Sequence, residues 1–165
     1  MTTPEARVEA LREALLTGQL IRDRLVENLN DVDAENLLSK DDVGELSKQQ
    51  RRLTDSLALT FANLAGLIQD QIIRLILLLE EYDVTEMTRR EQRLRAEAIG
   101  LVGPARHFER VAETRNRIAH QYPRDPVRQR RLLQDIAEQS RAAVTIFEDV
   151  RDYGLRKFVD ARPDQ

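Results

Sequence analysis

The 165-residue chain contains no cysteine and no tryptophan, and only two histidines. Without thiols there is no disulfide, no thiolate metal site and no cysteine nucleophile, and two imidazoles are too few for an ordinary structural zinc site. Aromatic residues are scarce too. The four Phe and three Tyr are nowhere clustered, so the stacking platform that reads single strands base by base is missing. Long hydrophobic runs are absent as well: the most apolar, Ile72 to Leu79, carries Arg74 and falls far short of the ~20 residues a bilayer crossing requires. At the N-terminus Glu5, Arg7, Glu9, Arg12 and Glu13 interrupt the apolar pattern, which reads as neither a secretory signal nor a membrane span. The expectation is a soluble, cytoplasmic protein of one domain, long enough to bury its own core.

What is abundant is arginine, which outnumbers lysine 23 to 3. Its planar fork suits bidentate contacts to carboxylate or phosphate. The net charge is −3, yet between Gly103 and Arg131 eight arginines face only Glu109, Glu113 and Asp125, so the rest of the chain is strongly acidic. A positive segment on an acidic protein recruits a polyanion to that region alone, with salt-sensitive affinity.

Apolar residues recur at spacings of three and four throughout, which predicts an all-α chain. A first helix is expected over about 4–29, opened by Pro4, with Val8, Leu11, Leu15, Leu25 and Leu29 facing inward and Gly18 as a possible interruption. Asn30 to Asn36 reads as an acidic connector. Ser39 with Asp42 resembles a helix start, and the helix it opens is expected to reach about Glu81. Within it Ala58, Ala62, Ala65 and Gly66 permit close approach of another helix, and Ile72 to Leu79 is apolar nearly all round, to be covered by the bundle core or by a second chain. Thr88 with Glu91 forms a capping box for a short helix ending near Gly100. A further helix is expected over about 104–121, stopped by Pro123, and a last one over about 126–156, capped by Asp125 with Pro126 in its first turn. Five helices with short loops describe a single up-and-down bundle spanning 1–165.

The helix before Pro123 has an oddity. At 100° per residue, Phe108, Val111, Ala112, Ile118 and Ala119 share one face, and Arg115 stands in the middle of it. A buried guanidinium is costly unless paired, so Arg115 either meets an acid such as Glu80, Glu81 or Asp70 or serves a function. His120 lies roughly 140° round the helix from Arg115, Asn116 stands directly below His120, and Tyr122 returns to the face of Arg115. Arg115 and His120 of one chain therefore point to different sides, and a two-fold interface would bring both copies of each into one cleft. The other histidine, His107, is left as a surface or packing residue.

Arg115, four residues, His120, one residue, Tyr122, in the stretch RNRIAHQY, resembles the motif of the HEPN superfamily in the form found in HepT toxins, and Asn116 after the arginine is similar to that family's usual choice. Around it, an all-α chain of suitable length, a proline break and a final helix extend the resemblance from about Leu53 to Gly154. The resemblance implies a homodimer of helical bundles whose two motifs meet in a cleft and act as a metal-independent endoribonuclease, with no cofactor. His120 would be general base to the RNA 2′-hydroxyl or acid to the leaving 5′-oxygen, Arg115 would stabilise the phosphorane oxygens, and Asn116 would position substrate or histidine. The products would be a 2′,3′-cyclic phosphate and a 5′-hydroxyl; DNA is not an expected substrate. Arg117, Arg124 and Arg128 of the basic segment are expected to hold RNA phosphates. The resemblance further implies a partner nucleotidyltransferase antitoxin that transfers AMP from ATP to Tyr122, blocking the cleft with bulk and negative charge. Two other readings use the same residues: a HEPN-type dimer that binds a nucleotidyltransferase without catalysis, and a structural helical dimer with Arg115 ion-paired inside.

Overall fold

The computed structural model describes residues 3–39, 46–120 and 123–161. Thr3 accepts a hydrogen bond from the Ala6 amide and Pro4 fills the first turn, which opens helix α1 (Pro4–Ala34). This helix is longer than the sequence predicts. It passes through Gly18 without a break, and 30–34, expected to be connector, is helical because Val32 is buried in the core. The chain turns at Asn36, whose φ of 52° is a left-handed conformation that asparagine tolerates, and a short 3₁₀ turn, Leu37–Ser39, follows.

The predicted helix start at Ser39 is not used. The Ser39 hydroxyl donates back to the Asn36 carbonyl, Asp42 lies outside the described residues, and Ser47 with Gln50 makes the reciprocal capping box that opens helix α2 (Lys48–Leu67). A π turn, Ile68–Ile72, joins α2 to α3 (Ile73–Leu79), so the two form one rod. Thr88 and Glu91 do form the capping box of α4 (Arg89–Ala98), which ends before Gly100 at φ 74°, a conformation that glycine adopts without strain. Helix α5 (Ala105–His120) matches its predicted span to within a residue at each end, with Gln121 outside the described residues. Asp125 and Pro126 open α6 (Pro126–Gly154), which a π turn, Leu155–Val159, prolongs past the predicted end. Among the described residues there is no strand, and five helical rods form an all-α bundle.

Helix α1 runs antiparallel to both α2–α3 and α6. Asn28, buried, donates to the hydroxyls of Ser56 and Thr60 at 3.1 and 3.0 Å, so its amide is satisfied inside the α1–α2 seam. Arg22 pairs with Glu148 at 2.7 Å and Asp33 with Arg141 at 3.0 Å, which fixes the register of α1 against α6. Leu11, Leu25, Phe61, Ile76, Phe147 and Val150 fill the space between these rods and are fully buried. Helix α5 lies against α2 and α6 through Phe108 and Val111. Val8, predicted to face inward, is only half-buried.

The apolar run from Ile72 is taken up mainly by the bundle itself: Ile72, Ile73, Ile76 and Leu77 are buried, while Leu75, Leu78 and Leu79 are half-buried. By length and composition Lys48–Leu79 is apolar enough to cross a membrane, but half of its most apolar window is already packed against the core. Glu80, just beyond α3, accepts hydrogen bonds from Tyr153 and Lys157 near the end of α6. Burial alone would push the Glu80 carboxyl up; the hydrogen bonds from Lys157 and Tyr153 outweigh it and hold the carboxyl below its ordinary range. That clasp commits Glu80 to α6, which bears on Arg115.

Candidate functional site

Helix α5 is amphipathic with one irregularity. Phe108 and Val111 are buried on its inner side, and one turn further along the same stripe Arg115 is half-buried. Its guanidinium reaches over α2 at Gly66, where an added Cβ would lie 3.1 Å from Nη2 and 3.4 Å from Cζ. A side chain larger than glycine at that place on α2 would displace the arginine. The small residues read as a seam for close approach thus include the seat of a charged group.

None of the acids expected to neutralise Arg115 does so. Asp70 pairs with Arg89 at 3.0 Å, Glu80 is held by Lys157 and Tyr153, and Glu81 makes no ion pair with it. Among the described residues Arg115 has no carboxylate partner, which the purely structural reading required. A half-buried cation without a counterion attracts an anion more strongly than a solvated one, because the protein around it screens poorly.

His120 is exposed at the end of α5 and lines a depression of about 690 Å³ between α5 and α6, together with Asn116, Arg110, Glu113 and Arg117 from α5 and Asp135 from α6. Arg117 donates to Asp135 at 2.8 Å, so part of its charge is already balanced within the protein. Arg124 and Arg128 are exposed around the start of α6. Tyr122 lies outside the described residues. His107, one turn into α5, is exposed, and no group of three His, Cys, Asp or Glu side chains converges among the described residues.

Arg115 and His120 of one chain do not share a depression, as their angular separation on the helix implied. Arg115 lines a second, smaller cavity of about 150 Å³, enclosed by Gln69 of the π turn, Arg89 and Arg93 of α4, and Phe108 and Asn116 of α5. Asn116 lines both cavities and is the link between them. Gln69, Arg89 and Arg93 escaped the sequence reading because they sit on other helices at no motif spacing. The signal available was the run of arginines at 89, 90, 93 and 95 on a helix too short to need them for packing.

Chemically, the α5 surface offers an exposed imidazole, a primary amide and a guanidinium without a carboxylate partner among the described residues, within two turns of helix and flanked by basic side chains. On an all-helical protein, that set can exchange a proton and bind an anion. Comparison with family models, curated proteins and solved structures finds no match for this chain.

Proposed function

We propose that the chain is a HEPN-type, HepT-like endoribonuclease toxin, working as a homodimer in the cytoplasm without a metal. The observation that supports this most directly is the state of Arg115: it occupies a core-facing position of α5, lies over Gly66 and has no carboxylate partner among the described residues. In the reaction, His120 takes the proton from a 2′-hydroxyl; the 2′-oxygen bonds to phosphorus, the bond to the 5′-oxygen breaks, and that oxygen leaves with a proton from water, which the His120 imidazolium replaces. Arg115 offsets the charge that gathers on the phosphorane oxygens, and Asn116 holds the scissile group between the two. Arg124, Arg128 and the remaining charge of Arg117 hold flanking phosphates.

Incubation of the purified protein with RNA in EDTA tests this. Cleavage should proceed and leave 2′,3′-cyclic phosphate and 5′-hydroxyl ends; RNA that stays intact under these conditions rejects the enzymatic reading in favour of a HEPN dimer that only binds a nucleotidyltransferase. The same proposal includes silencing by AMP transfer to Tyr122. Intact mass after co-expression with the partner nucleotidyltransferase should rise by whole AMP units, and Tyr122→Phe should remove the rise.

A further inference from the structure

The small cavity on the Arg115 side of α5 has a composition that the motif does not explain. Three guanidinium groups, from Arg89, Arg93 and Arg115, line a space of about 150 Å³ whose apolar wall is Ala65, Phe108 and Ala112. Asp70 pairs with Arg89 at 3.0 Å and so balances that one guanidinium of the three, and Glu109 pairs with Arg90 at 3.6 Å. Arg93 has only a neutral partner among the described residues, the Gln69 side-chain oxygen at 2.8 Å, and Arg115 has no carboxylate either.

Two buried donors of residues in this wall make no hydrogen bond among the described residues. Gln69 is 4 % exposed and its Nε2 makes no hydrogen bond, and Arg93 Nε is likewise buried and unpartnered. An unmade hydrogen bond of this kind is destabilising, and more so for a charged donor. Gln69 is delivered to the wall by the π turn, a distortion of the helix that is frequent at functional sites. Phe108 lies under the Arg93 guanidinium at 5.9 Å and steadies it. Burial pushes the Arg93 guanidinium below its ordinary range; Glu109 opposes that and Arg89 and Arg90 add to it, so the group is a charge held in a place that disfavours charge. A tetrahedral oxyanion suits this basic lining. It accepts several hydrogen bonds at once, offsets the crowded positive charge, and fits a space of about five times the ~30 Å³ that one water occupies in the liquid.

We propose that the cavity walled by Gln69, Arg89, Arg93 and Asn116 beside Arg115 is a phosphate-binding site, and that it holds the phosphodiester of the RNA strand next to the one on which Arg115 acts. The choice of RNA as occupant rests on the ribonuclease reading; the anion chemistry does not. Arg115 lines this cavity, so a strand whose cleaved phosphate meets Arg115 places a neighbouring phosphate among Gln69, Arg89 and Arg93.

The test uses an uncleavable 2′-O-methyl oligoribonucleotide and inorganic pyrophosphate against wild type, Arg93→Gln, Arg93→Lys and Arg89→Gln. Circular dichroism and melting temperature establish that each variant folds, and the exposed Arg89 makes its variant structurally benign. Arg93→Gln should weaken oligonucleotide binding about tenfold and flatten the slope of log K against log salt by roughly 0.7, the loss of one phosphate contact on a single strand. Arg93→Lys should retain the slope and lose part of the affinity, and Arg89→Gln should show a smaller loss. Wild-type binding with all three variants indistinguishable from it overturns the proposal. If the oligonucleotide does not bind at all, but pyrophosphate raises the melting temperature of wild type and not of Arg93→Gln, the phosphate site stands and the ribonuclease reading falls. If neither ligand depends on Arg93, the site does not exist.

Discussion

Mixing inactive Arg115→Met protein with inactive His120→Ala protein should restore ribonuclease activity. Each variant alone should lose about 10²- to 10⁴-fold in cleavage rate: the histidine variant lacks the proton carrier, and the arginine variant lacks the donor that offsets phosphorane charge. The prediction of rescue comes from geometry. On one copy of α5, Arg115 faces the α2–α4 side and His120 faces the α6 side, and each borders a different cavity. One phosphate meets both only if the arginine of one copy works with the histidine of another. In a mixed dimer the first chain supplies His120 and the second supplies Arg115, so one of the two sites is whole. After co-expression or joint refolding about half of the dimers are mixed, and the mixture should recover about a quarter of wild-type activity. A mixture as inactive as its components, with sedimentation showing that mixed dimers formed, would place Arg115 and His120 of the same chain in one site. Failure to sediment as a dimer at micromolar concentration removes the shared cleft altogether.

Much of this could be read from the sequence because helix ends are written in local chemistry. Thr88 with Glu91, Asp125 with Pro126, and Gly100 each act on backbone groups within a few residues, and all three stand where the sequence predicts. The missed start at Ser39 shows the limit of that signal. Two serines near each other both look competent, and Ser47 is the one with Gln50 three residues on, the partner that closes the reciprocal pair. The side from which Arg115 projects also follows from spacing alone. What surrounds it does not: whether Asp70 neutralises Arg115 or Arg89 depends on where α4 lies, which no periodicity encodes. The π turn at Ile68–Ile72 is invisible for the same kind of reason, since a single extra residue in one turn leaves the three-and-four spacing nearly unchanged over a long helix. The phosphate site depends on that turn and on three separate helices. It could not be found before they were assembled.

Gly18 departs furthest from its sequence expectation, and its contact with Phe147 carries the largest expected effect on stability. A glycine inside a helix normally costs about 1 kcal/mol relative to alanine, so an interruption is the natural expectation and Gly18→Ala would ordinarily stabilise the helix. Here α1 continues through Gly18 because the fully buried ring of Phe147 on α6 lies across it. An added Cβ would stand 2.3 Å from Phe147 Cε2, 2.9 Å from Cζ and 3.2 Å from Cδ2, distances that a buried ring cannot accept without moving. Overpacking of this kind costs about 1–3 kcal/mol, enough to cancel the helix gain and reverse its sign. Removing the ring instead, in Phe147→Ala, should cost about 3–5 kcal/mol through lost burial and the cavity left behind. That is a large part of the roughly 5–15 kcal/mol that usually holds a domain together. The two changes should not add. Once the ring is gone a methyl group at this position has room, so Gly18→Ala in the Phe147→Ala background should stabilise by about 1 kcal/mol, the helix gain no longer opposed. Urea unfolding of the four proteins measures the cycle. A stabilising Gly18→Ala in the presence of Phe147, or strict additivity of the two changes, would show that the α1–α6 contact is looser than the ring's position requires.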